Sequence, residues 1–409
     1  MEKKLLFVEA NTTGTGMLAI RKAKELGYEP IFLTQKKSLY HGLSDLECRV
    51  IELDTNSVDA IKHYIIHEKI EDIAGILTTS DYYLETVAEL VQMFRLSGNT
   101  HQAIYYCRNK AMFREKLHLE KVLQPKFHIV QSIDSLQNIY SSIQFPCVVK
   151  PADDSGSNNV RLCSNWEEVE KIATKILANK YNARGQEKAN MVLLEEYIEG
   201  PEYSVEMFSW EGNSICIGIT EKQLTGFPYF VESGHIFPVE LPKDVQSEIE
   251  QTVKCALQAV DFRFGASHSE VKWTSNGCVV IEVNARLAGG MIPELVRHST
   301  GVDLLRQQVL SSVGVAPEWK EIEYMNYAGI HFLTAKKSGF LSTVKGIEEV
   351  RELSYIEELV VKAQVGQPVN PPENFSHRLG HVMVRGRTYE ETVLFLEEVA
   401  KKLEIQVNN

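Results

Sequence analysis

Residues 279–290 read Val279-Val280-Ile281-Glu282-Val283-Asn284-Ala285-Arg286-Leu287-Ala288-Gly289-Gly290, an apolar strand with an acid, an amide and a guanidinium at every second place. Successive side chains of a strand point to opposite faces, so Glu282, Asn284 and Arg286 share one face. Metal-ligand oxygens and a fixed cation therefore point into the same space. Upstream, Glu270 sits in a similar stretch, Ser267-His268-Ser269-Glu270-Val271-Lys272-Trp273, and Ser275-Asn276-Gly277 separates the two as a hairpin turn would. Two acids on neighbouring antiparallel strands, with an Asn beside them, are the hard oxygen ligands that a magnesium–nucleotide site needs.

The 409 residues are enough for two to four structural units. Apolar content of 44% and charged content of 24% are ordinary for a globular protein. With 55 acidic against 43 basic residues the formal charge is −12, which argues against nucleic acid as a partner. Seven scattered cysteines without a C-x-x-C pair read as reduced structural thiols. Glu9 interrupts the first apolar run too early for a signal peptide, and nowhere do eighteen apolar residues run together. The expectation is a cytoplasmic protein with no membrane span.

Residues 1–100 alternate short apolar runs (5–9, 30–34, 49–53, 73–78) with helical patterns (17–26, 58–67, 82–94), as a parallel α/β layer does. A helix over 109–119 leads into a unit with strands at 126–130 and 147–150. Residues 179–188 are polar and unpatterned, and read as a mobile loop tip. From 191 onward strands dominate (192–196, 203–209, 214–221, then the hairpin), with helices at 244–260 and 293–311. After Pro317 come short strands, a loop at 366–372 and a terminal helix at 389–403. The fold class is α/β (α+β).

Gly14-Thr15-Gly16-Met17-Leu18-Ala19 matches G-x-G-x-x-A between a strand and a helix. The acid expected about 20 residues further on is missing, since that strand ends Leu33-Thr34-Gln35-Lys36-Lys37. A tight strand–helix turn is the better reading than a dinucleotide loop, and only Lys36 and Lys37 keep a phosphorylated dinucleotide in view.

Lys150 ends the apolar strand Phe145-Pro146-Cys147-Val148-Val149-Lys150-Pro151 and could reach phosphate, although a strand-end lysine also snorkels to solvent. The small polar stretch Asp153-Asp154-Ser155-Gly156-Ser157-Asn158-Asn159-Val160 could fold its backbone N–H groups over phosphates, or be a plain hairpin turn. Lys110 stands at a helix start. Leu194-Glu195-Glu196-Tyr197-Ile198-Glu199-Gly200-Pro201-Glu202 runs from a strand into a Gly-Pro turn, which suits a hinge that reads an adenine edge as well as it suits an edge strand with solvated acids.

In this order the segments resemble the ATP-grasp superfamily of carboxylate–amine ligases. The resemblance implies an N-terminal α/β domain over 1–108, a central lid domain over 109–194, and a C-terminal domain over 195–409 built on a large antiparallel sheet, with a terminal α/β extension from about 320. It implies ATP and two magnesium ions, with manganese as a substitute. Lys110 and Lys150 would contact phosphates under the Ser155-Gly156-Ser157 loop. Glu195, Tyr197, Ile198 and Glu202 would hold adenosine, and Glu270, Glu282 and Asn284 would coordinate the metal. Arg286 would stabilise an acyl phosphate and the tetrahedral intermediate.

The segment Gly226-Phe227-Pro228-Tyr229-Phe230-Val231-Glu232-Ser233-Gly234-His235-Ile236-Phe237-Pro238 could hold an ammonium group and take its proton, or be a structural loop with one surface histidine. With Gly265–Glu270 and Arg286–Gly290, it is similar to the bacterial L-amino acid ligases, which make dipeptides. That likeness implies binding and base roles for Glu232 and His235, and substrate carboxylate contacts from the N–H groups of Gly289 and Gly290. It further implies that Asp81 holds an amino group and that Tyr82 limits side-chain size. The implied reaction joins two L-amino acids at the expense of ATP. The rival keeps the activation and uses a carrier-protein thiol or another amine as acceptor. Small molecules are the expected partners, and a homodimer is possible.

Overall fold

The computed structural model describes residues 3–12, 15–40, 42–225, 228–318 and 321–408. The N-terminal unit is a four-stranded parallel sheet in the order Arg49–Glu52, Glu29–Thr34, Lys4–Val8, Ile73–Leu77. Its inner strands are apolar on both sides, as sheets covered on both faces require. Leu5, Phe7 and Phe32 pack on Ala19, Ile20 and Ala23 of the helix Thr15–Glu25. Leu6, Val8, Ile31 and Leu33 pack on Ile61 and Ile65 of Val58–His67, and on Leu90 and Val91 of Leu84–Met93. The glycine motif enters the first of these helices. Gly14 lies outside the described residues.

The central unit is a four-stranded antiparallel sheet, Phe127–Val130, Val192–Glu196, Cys147–Pro151 and Arg161–Cys163 in spatial order. Its cover is the helix Trp166–Ala178, started by the Asn165 side chain accepting from Glu168 N, with Val169, Ala173 and Ile176 facing the sheet. This helix was not among the sequence expectations, although the spacing of those three residues marks one.

The third unit is an eight-stranded antiparallel sheet. Its order is Gly277–Asn284, Gly265–Thr274, Glu202–Trp210, Asn213–Thr225, Val231–Phe237, Tyr327–Thr334, Arg378–Gly386 and Ile356–Val361. Ile249, Val253, Ala256 and Leu257 of the helix Lys243–Ala259 cover one face through Val205, Met207, Ile219, Val271, Val280 and Val283. Strand alternation then turns Glu202, Ser204, Glu206, His268, Glu270 and Glu282 to the opposite face. That polar face is the floor of the site.

Four expectations change. The helix expected over 293–311 is two, Ile292–Thr300 and Leu304–Ser312, because Gly301 ends the first in the left-handed region and Asp303 caps the second. The strand ahead of Arg286 stops at Asn284, so Arg286 leaves from a bend rather than a strand face. The strands after Pro317 are not set apart: three of them complete the large sheet, and only Gly339–Lys345, Pro368–Val369 and Glu404–Asn408 form a separate small one. The polar stretch 179–188 is docked rather than loose, as its hydrogen bonds below show. Among the described residues no helix is long and apolar enough to cross a membrane.

Candidate active site

Glu270 and Glu282 are direct cross-strand partners, and Asn284 pairs with His268. Facing carboxylates repel, and cations hold this pair together. Lys110 Nζ lies 3.3 Å from Glu282 Oε2, and Lys222 Nζ lies 2.8 Å from Glu270 Oε1. Asn284 Nδ2 donates to Glu282 Oε1 at 2.8 Å. Burial pushes the Glu282 carboxyl up, but Lys110 and the Asn284 bond outweigh it and hold the group below the usual carboxylate range. Among the described residues no group of three or more His, Cys, Asp or Glu stands ready to hold a metal alone. Two carboxylates and an amide instead fit a magnesium ion that takes its other ligands from phosphate oxygens and water.

Lys222 was missed in the sequence and is central to the floor. Its buried ammonium touches Glu202 at 2.8 Å, Glu270 at 2.8 Å and Glu232 at 3.3 Å. Burial disfavours the charge, yet the three carboxylates outweigh it and keep the ammonium well above the usual lysine range. His268, in the strand of Glu270, is a further residue of this floor. It lies between Glu206 (Nδ1 to Oε1, 2.7 Å) and Glu270 (Nε2 to Oε1, 3.5 Å). Burial lowers its pKa, but these acids raise it to about 10, so Glu270 is braced from behind by a cation.

On the lid side Lys150 Nζ is 2.7 Å from Glu195 Oε2, and the fully buried Arg114 donates from Nε to Glu195 Oε1 at 2.6 Å. Glu195, expected at adenosine, is thus engaged on both oxygens by protein cations. Lys110 Nζ also donates to Asp154 O at 3.1 Å, joining the loop around Gly156 to the Glu270–Glu282 pair. Gly156, Ser157 and Asn159 all have positive φ, giving a tight irregular loop. Beyond the hinge strand, Lys272 Nζ donates to Ile198 O at 3.0 Å and sits over the Tyr197 ring.

The expected substrate residues come together with altered partners. Arg286 Nε donates to Asp81 Oδ1 at 2.7 Å, and Ser155 Oγ donates to Asp81 Oδ2 at 2.6 Å. Asp81 is therefore committed to a guanidinium and a hydroxyl instead of standing open to an amino group. Burial raises its pKa, but Arg286 and Arg108 outweigh that and hold it below the usual carboxylate range. Tyr82 donates to Asp154 Oδ1 at 3.4 Å. Gly289 has open space beside it. Gly290, at φ +58, lies on His235: a Cβ there would stand 2.7 Å from Nε2. His235 is fully buried, and burial lowers its pKa against the pull of Glu232, 3.6 Å away. It lies beneath the glycine loop rather than on the cleft surface expected of a base. Gly226 and Phe227, the start of that expected segment, lie outside the described residues.

The stretch 179–188 crosses to the N-terminal unit. Arg184 Nη2 donates to Ala10 O at 3.3 Å, Asn56 Nδ2 donates to Arg184 O at 2.9 Å, and Gln186 Nε2 donates to Tyr82 O at 2.9 Å.

Two lysines, a paired-carboxylate row and a separate antiparallel sheet beside it are what an ATP-dependent, ADP-forming ligase needs. Comparison with known proteins agrees. Residues 143–294 match the ATP-grasp domain family, and residues 331–408 match the L-amino acid ligase C-terminal domain 2. An uncharacterized protein, y4rH of Sinorhizobium fredii, is 30% identical over 94% of this chain and 78% of its own. The L-arginine-specific L-amino acid ligase of Bacillus subtilis is 22% identical over 77% of this chain and 75% of its own. The crystal structure of an L-amino acid ligase from Bacillus licheniformis superposes with a TM-score of 0.84 over the whole of both chains at 23% identity. The chain belongs to the ATP-grasp family of carboxylate–amine ligases and carries the C-terminal domain of the L-amino acid ligases. Proteins of this family bind ATP with magnesium.

Proposed function

We propose that the chain joins two L-amino acids into a dipeptide, converting ATP to ADP and phosphate. One carboxylate oxygen attacks the γ-phosphorus and ADP leaves. The acceptor amine then attacks the acyl carbon of the acyl phosphate, loses a proton, and inorganic phosphate departs. Such a site works by positioning and charge neutralisation more than by a nucleophilic side chain. The observation that carries the reading is Lys222, whose ammonium contacts Glu202 at the hinge, Glu270 in the metal row and Glu232 in the second subsite. One cation thereby serves both the activation and the acceptor sides.

In this reading Lys110, Lys150 and the loop Ser155-Gly156-Ser157 hold phosphates, while Tyr197, Ile198 and Glu202 hold adenosine. Glu195 acts on the nucleotide through Lys150, to which it is paired. Glu270, Glu282 and Asn284 would hold two magnesium ions, replaceable by manganese; bound there, the metal neutralises phosphoryl charge. Arg286, fixed by Asp81, faces the acyl phosphate. Gly289 and Gly290 take a substrate carboxylate, with Tyr82 at the side-chain end and Glu232 and His235 in the acceptor subsite. The divisions 1–108, 109–194 and 195–409 are the working units, and a homodimer is the proposed assembly. The test is a screen of amino-acid pairs with ATP and magnesium, following phosphate release and product mass. Pair-dependent phosphate with a dipeptide mass is expected. Silence across all pairs, with ATP still bound, would sink the dipeptide reading.

A further inference from the structure

An arginine from the far end of the chain reaches Glu232 on the large sheet. Arg378, at the start of the strand Arg378–Gly386, donates from Nη2 to Glu232 Oε2 at 2.7 Å and to the Glu232 carbonyl at 3.2 Å. It thus holds the backbone and the rotamer of one residue together. Its guanidinium lies 3.6 Å from the centre of the Phe332 ring, and Phe332 meets His235 edge-on with ring centres 5.5 Å apart. Three residues earlier, Phe375 lies against the phosphate loop: a Cβ on Gly156 would stand 2.4 Å from its ring. A cavity of about 120 Å³ between loop and segment is lined by Ser157, Asn159, Tyr229, Glu373 and Asn374, among others. The segment packs on that loop.

Charge balance gives Arg378 its task. Lys222 is already shared with Glu202 and Glu270, so it cannot neutralise Glu232 alone. A buried carboxylate with one divided partner shifts toward that partner, and Glu232 would be drawn to Lys222 and away from His235. We propose that Arg378 is a positioning residue of the acceptor-amine subsite, fixing Glu232 directly and His235 through Phe332. The inference deepens the ligase reading above and rests on it. Lysine cannot replace arginine here, because an ammonium lacks the planar fork and the stacking face.

The test compares wild type with R378Q and R378K in two reactions sharing one activation step. In the first an amino acid is the acceptor; in the second saturating hydroxylamine traps the acyl phosphate as hydroxamate, and its excess overrides poor positioning. R378Q should lower kcat/KM for the acceptor amino acid by about 100-fold, the effect of an ångström-scale misplacement. Carboxylate-dependent hydroxamate formation should fall much less, by no more than about tenfold, because Arg378 reaches the activation side only indirectly, through Glu232 and the shared Lys222. R378K should show the same split in smaller measure, and serves where R378Q does not fold. Equal losses in both reactions, or undiminished ligation, would overturn the proposal. Wild type that yields hydroxamate but no dipeptide would instead overturn the dipeptide reading. The half-saturating hydroxylamine concentration then decides on Arg378: R378Q should raise it, and an unchanged value refutes the role.

Discussion

Arg114 has no solvent contact, and its side-chain bonds tie the strand Val192–Glu196 to the strand Gly277–Asn284. Nε donates to Glu195 Oε1 at 2.6 Å, Nη1 to Val280 O at 3.2 Å and Nη2 to Ile281 O at 2.5 Å. Arg114→Met leaves Glu195 with Lys150 alone and two carbonyls unpaired. Breaking a buried pair from one side costs about 3–5 kcal/mol. A clear fall in thermal and denaturant midpoints is therefore expected. Adding Glu195→Leu should recover part of it, since removing both charges is milder than stranding one. An unshifted midpoint for Arg114→Met would show that the pair carries no such load. The contrast with Glu270, Glu282 and Asn284 explains what the sequence could reveal about the site. Those three are polar residues inside apolar strands, an anomaly visible in a short window. Arg114, Lys222 and Arg378 lie in segments where a cation is unremarkable, and their partners come from distant strands. Only the fold makes them site residues.

Elements divide by whether their order is local. The strands of the N-terminal sheet were legible as short continuous apolar runs between turn residues, and the hairpin around Glu270 by its period-two alternation. The break at Gly301 hides inside a continuous apolar period. Residues 179–188 lack any period because tertiary hydrogen bonds to Ala10, Asn56 and Tyr82 order them. The loop around Gly156 is a third case, since besides its bonds to Asp81 and Lys110 it packs on Phe375, more than 200 residues downstream. Half of Phe375 is exposed, so Phe375→Ala should cost little stability. Ordering the freed loop on binding should cost about 1 kcal/mol, a several-fold loss of ATP affinity. Calorimetric titration with ATP and magnesium measures it, alongside a thermal melt. Undiminished affinity would mean that the loop is ordered without the ring.

At the scale of the molecule, one carboxylate joins all three units. Asp81 belongs to the N-terminal unit, accepts from Ser155 of the central unit, and pairs with Arg286 just past the strand Gly277–Asn284, with Arg108 at 3.9 Å. Asp81→Asn keeps the shape and strands two arginines in a buried place, so a loss of about 3 kcal/mol or more is expected. The pH dependence follows from the direction of the shift. A carboxyl held below its unfolded value stabilises the fold at every pH above that value, about 3.9 for aspartate. The contribution fades only as the pH falls from there through the lower, folded value. The stability gap between wild type and Asp81→Asn should therefore be level from neutral pH down to about 4 and close below it, as thermal melts across pH would record. A gap of constant size down to about pH 2 would separate the effect from the charge and leave the junction resting on shape alone. The same substitution frees Arg286 from its anchor. Ligation should then fall at neutral pH, and phosphate release assays run below the melting temperature of the variant isolate this effect from unfolding.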